Sequence, residues 1–292
     1  MVPIVSFVCW NRAGLTARNL NELLKSTDDF ELYIVDSNSE DDTWEFLKTL
    51  KDDRIKEIKR LHFNYGPPYA INYIMSKRKK GQYFFHVDSD SCIITKDWIS
   101  KFMEVMNVYP EVGAACTVGN EIFNIWARDY PFKYIERNNV GIQESGILLA
   151  GYLLCIRPEL MDRLGYFNEE TGRCDSDYAR RIKGFTDYKM AFVPDIIIDQ
   201  TQEFKCEECS INGICTVKNK NTTCFAIRNA KYQNWKFDRL TLDRQEEFFN
   251  EIKNGIRSEY CASIHDEESL KNHYYNKVWA QENFKYYINN AN

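Results

Sequence analysis

Apolar and polar positions in the first hundred residues alternate between two periods, and each change of period marks an element. Ile4 to Cys9 and Glu31 to Asp36 read as buried strands. Between them Leu20, Leu23 and Leu24 share a helical face, with Thr16 as candidate cap. Asp42-Thr43-Trp44-Glu45 has the form of a capping box, and Trp44, Leu47 and Leu50 continue it at helical spacing. Ile55 to Lys59 predicts a short edge strand. Pro67-Pro68 opens a helix bearing Ala70, Ile71, Ile74 and Met75, since proline suits a first helical turn. Tyr83-Phe84-Phe85-His86-Val87 is a further buried strand, and Trp98, Phe102, Met103 and Met106 form the next helical face. Val112 to Val118, Ile147 to Ile156 and Met190 to Ile198 supply more strands.

Strand and helix in alternation predict an α/β fold: a mainly parallel, mixed sheet with helices on both faces, Rossmann-like in plan. Ligands of such sheets bind outside the carboxyl ends of the strands. Asp36 and the Asp88-Ser89-Asp90 pair both fall there. After Asp199 the pattern changes. Residues 202–228 are polar and Cys-rich and read as a small module. Residues 229–292 read as a helical segment with helices from Leu240 to Arg257 and from Glu267 to Asn290, rich in Phe, Tyr and Trp. The α/β domain then spans 1–201, with halves of about 1–110 and 111–201.

Composition narrows the function classes. With 292 residues, 44% hydrophobic and 14% aromatic, the chain can bury a sizeable core. A net charge of −5 and a pI near 5.6 argue against a nucleic-acid binder. The N-terminus lacks a basic n-region, and the longest apolar stretch, Ile147 to Ile156, is far short of the roughly 20 residues that span a bilayer. A protein without an integral membrane segment, in the cytoplasm, is expected. Cys9, Cys92, Cys116, Cys155, Cys174 and Cys261 are scattered, several within apolar runs, as expected of small buried hydrophobes in a reducing compartment.

The Asp88-Ser89-Asp90 pair carries the chemistry. Side chains spaced i, i+2 on an extended chain share a face, so two hard oxygen ligands converge at a strand end. Such a pair suits Mg²⁺ or Mn²⁺, the ions that accompany diphosphates.

The motifs, taken in order, resemble those of an inverting family 2 glycosyltransferase with the A-type nucleotide-sugar fold. Val5-Ser6-Phe7-Val8-Cys9-Trp10-Asn11-Arg12 is similar to the family's opening strand, and Ile34-Val35-Asp36-Ser37-Asn38-Ser39-Glu40-Asp41 to its V-D-D-G-S-x-D. Asn64-Tyr65-Gly66, with Ala70 and Asn72, resembles N-x-G…A-R-N, Ile71 standing where Arg is usual. Asp88-Ser89-Asp90 matches D-x-D. Gly151, Leu164-Gly165-Tyr166-Phe167-Asn168-Glu169 and Asp175-Ser176-Asp177, with Arg181 and Gly184, follow the order G…L-G-x-F-D-E…E-D-x-D.

The resemblance implies a nucleotide-diphosphate sugar donor, a UDP-sugar first, held by Cys9, Asn11, Arg12, Asp36, Ser39, Gly66, Asn72, Asp88, Ser89 and Gly151. It implies a cation at Asp88 and Asp90, and Asp175 as the general base that deprotonates an acceptor hydroxyl. Asp177, one alignment step away, is the rival base. The acceptor class stays open among glycan, peptide, lipid carrier and small molecule, as does the oligomeric state. His86 reads as a satisfied core histidine, and the C-terminal Tyr/Trp stripe as core or interface.

Three departures stand out. Cys174 replaces the Glu of E-D, Asn168 replaces an Asp, and Asp199 stands where many relatives place a metal-binding His. For Asp199 two readings remain, third metal ligand and turn residue. Cys206, Cys209, Cys215 and Cys224 have the spacing C-x₂-C-x₅-C-x₈-C, which fits tetrahedral Zn²⁺, with disulfides and an iron–sulfur cluster as alternatives. The rival functions are a degenerate transferase fold that only binds through this knuckle, and a sugar-nucleotide nucleotidyltransferase. The latter usually opens with a Gly-rich phosphate loop, of which Arg12-Ala13-Gly14-Leu15 is a poor version.

Overall fold

The computed structural model describes residues 1–200, Gly213 and residues 235–290. Among these residues nine strands form one sheet in the order β3-β2-β1-β4-β9-β6-β10-β8-β7. The strands are β1 (Ile4–Cys9), β2 (Glu31–Asp36), β3 (Ile55–Arg60), β4 (Phe84–Asp88), β6 (Val112–Thr117), β7 (Phe132–Arg137), β8 (Val140–Ser145), β9 (Leu153–Ile156) and β10 (Lys189–Phe192). β3, β2, β1 and β4 run parallel, β9 lies antiparallel between β4 and β6, and β10 is parallel to β6. A second ribbon pairs β5 (Cys92–Ile93) with β11 (Ile198–Asp199).

Helices cover both faces. On one, α1 (Ala13–Leu23) and α4 (Trp98–Val108) set Leu20, Leu23, Trp98 and Phe102 against Phe7, Ile34 and Phe85. On the other, α3 (Pro67–Met75), α6 (Pro158–Leu164) and α7 (Asp175–Phe185) set Ile74, Leu160 and Tyr178 against Ile4, Phe84 and Leu154. Successive side chains on β1 and β4 therefore serve opposite cores, which explains strands that are apolar on both faces. Burying each of these large side chains contributes roughly 1.5–3 kcal/mol.

α2 (Thr43–Leu47), α5 (Asn120–Asp129), α8 (Trp235–Lys253), α9 (Glu267–Asn272) and α10 (Lys277–Asn289) complete the described helices. The C-terminal helices are knitted to the α/β core by buried polar contacts. Asn283 Nδ2 donates to the carbonyls of Glu169 and Glu170 at 2.7 and 2.6 Å, Tyr275 donates to Glu169 at 2.6 Å, and Arg257 pairs with Glu170 at 2.7 Å.

Several expected elements differ. The strand expected from Ile147 to Ile156 begins only at Leu153, because the chain ahead of it leaves the sheet to pass Gly151 along the site. The strand expected from Met190 to Ile198 breaks at Pro194 into β10 and β11. The helix expected from Glu267 to Asn290 is two helices, because His273 is extended and the Asn276 side chain caps a new helix at Trp279 N. Asp42 makes no side-chain cap. Asp41 instead accepts from Thr43 N at 3.0 Å and, through its other oxygen, from Ala13 N at 2.8 Å. Thr16 lies inside α1, not at its start. The cysteines at 206, 209, 215 and 224, and the zinc expected there, lie outside the described residues. Cys9, Cys92, Cys116, Cys155, Cys174 and Cys261 are unpaired thiols.

Candidate active site

The carboxyl ends of β1, β2 and β4 meet at one edge of the sheet, next to the point where the strand order turns from β2 to β4. Two loops are locked together there. Asn11 and Arg12 follow β1 with left-handed backbone (φ 53° and 61°), and Asn11 N donates to Ser39 Oγ at 2.7 Å. Glu40 N donates back to Asn11 Oδ1 at 2.8 Å. Asp36, fully buried at the end of β2, accepts from Ser39 N at 3.1 Å and from the Ser39 hydroxyl, and pairs with Arg60 at 3.4 Å. Burial raises its pKa despite the Ser39 hydrogen bonds.

β4 delivers Asp88, Ser89 and Asp90 beside them. Arg12 reaches Asp90 at 3.4 Å and the Ser89 hydroxyl at 3.5 Å. Across the opening, α7 starts at Asp175, whose Oδ2 accepts from Gly151 N at 3.2 Å and whose Oδ1 accepts from Ser176 N at 2.8 Å. A methyl on Gly151 would stand 3.7 Å from Asp175 Oδ2 and 3.9 Å from Asp88 Oδ2, so both carboxylates approach this glycine.

Cys9, Arg12, Asp88, Ser89, Asp90, Gly151 and Asp175 line one cavity of about 490 Å³. Residues 5–161 match the model of glycosyl transferase family 2. The chain belongs to this family. Its fold is similar to that of a mannosyltransferase from Pyrobaculum calidifontis solved with GDP-Man and Mn²⁺ (19% identity, TM-score 0.52, 68% of this chain and 56% of that one). It is also similar to S. aureus TarS with UDP-GlcNAc (18%, TM-score 0.50, 68% and 57%). GalNAc-T7 with UDP, GalNAc and Mn²⁺ is a third (15%, TM-score 0.52, 68% and 43%). The chain thus matches little more than half the length of the first two. No curated protein sequence matches it. The sheet is the A-type, Rossmann-like sheet of glycosyltransferases.

Other residues expected at the glycosyltransferase site stand behind the cavity wall. Asn72 is fully buried and clamps the two halves of the domain, donating to Phe167 O and Glu169 Oε1, both at 2.8 Å, and accepting from Phe167 N at 3.0 Å. Gly66 (φ 90°) lies under the Tyr287 ring, where a Cβ would come within 2.4 Å of Cδ2. Asn11, Asp36 and Ser39 shape the loop pair and stay out of the lining. Asp177 is sealed in the core, bonded to Arg181 Nε at 2.7 Å and Asn168 Nδ2 at 3.1 Å. Arg181 also donates to the carbonyls of Leu164 and Tyr166, so this pair anchors the loop ahead of α7.

Burial, and secondarily the charge of Asp88, raises the pKa of Asp175. The Cys174 thiol is pushed well up by burial and then by Asp175, so it stays protonated where the family carries a carboxylate. Asp199 sits opposite Cys92 in the β5–β11 ribbon and pairs with Arg18 at 2.6 Å.

The fit to a divalent cation can be judged from the donors. Among the described residues no three His, Cys, Asp or Glu side chains gather into a metal cage. Asp88 and Asp90 nevertheless share the cavity wall, and Mg²⁺ and Mn²⁺ commonly take one or two carboxylates, completing their shell with phosphate oxygens and water. The residues fit that open mode.

Sequence reasoning missed the roof. Phe237, Asp238 and Thr241 of α8 and Tyr287 of α10 line the cavity, as does Arg173, which reaches Asp238 O at 3.5 Å. Their spacing resembles that of any amphipathic helix, so no local signal marks them.

Proposed function

We propose that this glycosyltransferase moves a sugar from a nucleotide-diphosphate donor, UDP-sugars first, to an acceptor hydroxyl, with inversion at the anomeric carbon. Asp175 is the general base, and Asp88 and Asp90 hold Mn²⁺ or Mg²⁺. The observation that supports this reading is the approach of Asp175 and Asp88 to Gly151, both on the cavity that also holds Asp90 and Arg12. Asp88 and Asp90 would hold the cation, which would supply positive charge to offset that of the leaving diphosphate. Arg12 adds a fixed cation at that end of the cavity. Asp175 takes the proton of the acceptor hydroxyl, and its raised pKa makes it a stronger base than an ordinary carboxylate. The Gly151 amide and the first turn of α7 hold its two oxygens. Attack from the Asp175 side, opposite the diphosphate, inverts the sugar carbon. Phe237, Asp238 and Thr241 of α8 and Tyr287 of α10, which line the cavity, limit water at the reacting centre.

The test is incubation with Mn²⁺ and a panel of nucleotide sugars, with NMR of the anomeric product. An inverted product, lost in Asp175→Asn while nucleotide binding persists, is expected. Transfer retained by Asp175→Asn, or no nucleotide-sugar binding by calorimetry, refutes the reading.

A further inference from the structure

His86 is buried on β4, and both of its ring nitrogens are engaged. Nε2 lies 2.9 Å from Asp88 Oδ1 and Nδ1 lies 3.2 Å from Ser6 Oγ. The strands make this arrangement. His86 and Asp88 are i, i+2 and share a face, and the parallel register sets Ser6 of β1 directly beside His86. A carboxylate only accepts, so the proton of the first contact sits on Nε2. With that tautomer Nδ1 accepts, and the Ser6 hydroxyl donates to it. Ser6 and His86 are 0% and 2% exposed, whereas the Asp88 side chain is 42% exposed, so the chain of bonds runs from the core outwards and ends at Asp88. Its other oxygen, Oδ2, is turned to the Gly151 side of the cavity.

We propose that His86 is a positioning residue for the cation: it occupies Asp88 Oδ1 and so presents Oδ2 alone, as a one-oxygen ligand on a fixed carboxylate. This inference rests on the cation being held by Asp88 and Asp90. An imidazole that orients a ligating carboxylate acts like other outer partners of metal ligands, whose loss typically costs 10–100-fold in metal affinity. One-oxygen ligation also favours the compact octahedral shell of Mn²⁺ and Mg²⁺ over Ca²⁺, which readily takes carboxylates through both oxygens.

The experiment is calorimetric titration of Mn²⁺, and separately Ca²⁺, into the full chain with UDP present, alongside thermal unfolding of each variant. His86→Phe, which keeps an apolar ring but no N–H, should bind Mn²⁺ about 10-fold or more weakly. It should also narrow the Mn²⁺-over-Ca²⁺ preference. His86→Gln, which retains a donor, should recover much of the loss. Ser6→Ala, a change small enough to preserve the fold, should weaken Mn²⁺ in the same direction by freeing the ring. Wild-type Mn²⁺ affinity in a folded His86→Phe, or in Ser6→Ala if His86→Phe does not fold, overturns the inference. Absence of Mn²⁺-dependent UDP binding in the wild type overturns the cation site itself, a distinguishable result.

Discussion

The amide of Gly151 donates to Asp175 Oδ2 at 3.2 Å, which ties a carboxylate at the start of α7 to the chain entering β9. A helix N-terminus and a strand edge thus share one side chain, and this carboxylate is oriented by main chain, not by a flexible partner. Replacing Asp175 with Asn keeps the shape and one acceptor oxygen but removes the proton acceptor. Transfer should fall by about 10²–10⁴-fold with nucleotide affinity little changed, read by steady-state kinetics and calorimetry.

Asp177 should respond differently. It neutralises Arg181 where both side chains are 0% exposed, and Asp177→Asn leaves a buried guanidinium without its counter-charge. The cost should be about 3–5 kcal/mol, read as a lower urea midpoint. A variant of unchanged stability with abolished transfer would instead assign chemistry to Asp177.

Two pH effects follow from burial. As the proposed base Asp175 would act only when ionised, and its pKa lies above the ordinary 3.8, so turnover should fall with decreasing pH along a limb displaced above that value. A pH–rate profile with its acid limb at 3.8 or lower would contradict this.

His265 is shifted the other way. Burial lowers its pKa from 6.5 to about 4, while Nε2–H donates to Tyr69 O at 3.0 Å. A depressed folded pKa means the unfolded chain takes the proton first, so stability is intact above 6.5 and is lost as pH falls toward 4. Thermal unfolding across this window should show a steeper decline in the wild type than in His265→Gln.

Gly66→Ala tests the roof. The added methyl meets the Tyr287 ring at a φ of 90°, which side chains rarely adopt, so either the backbone or α10 must move. A stability loss of about 1–3 kcal/mol is expected, with a raised donor KM as Tyr287 shifts in the cavity. An unchanged melting temperature would argue against tight docking of α10.

The parallel half of the fold was legible because buried strands and amphipathic helices of ordinary length carry their periodicity locally. The hairpin of β7 and β8 lies outside the expected elements, although Asn138-Asn139, with φ of 52° and 62°, is a two-residue turn of the kind that joins antiparallel strands. α5 also lies outside the expected elements, although Ile122, Phe123 and Trp126 follow helical spacing and pack on the core. In the site, the strand-end carboxylates could be read from the chain because strand ends and motif order place them.

What the sequence determined by itself is the alternation of elements and the strand-end positions of Asp36 and Asp88, and it offered Asp90 and Asp175 as candidates beside them. Tertiary structure decided how the candidate acids divide, Asp177 and Asp199 among them. Asp36 is turned into a loop lock, Asp177 is sealed on Arg181, and Asp199 is drawn to Arg18, while Asp88, Asp90 and Asp175 face one cavity. The reason is that a carboxylate's partner is a matter of distance in space. Arg181 lies four residues from Asp177, but Arg18 lies 181 positions from Asp199 and His86 meets Ser6 across 80. Only strand register and helix packing bring such groups within hydrogen-bond reach.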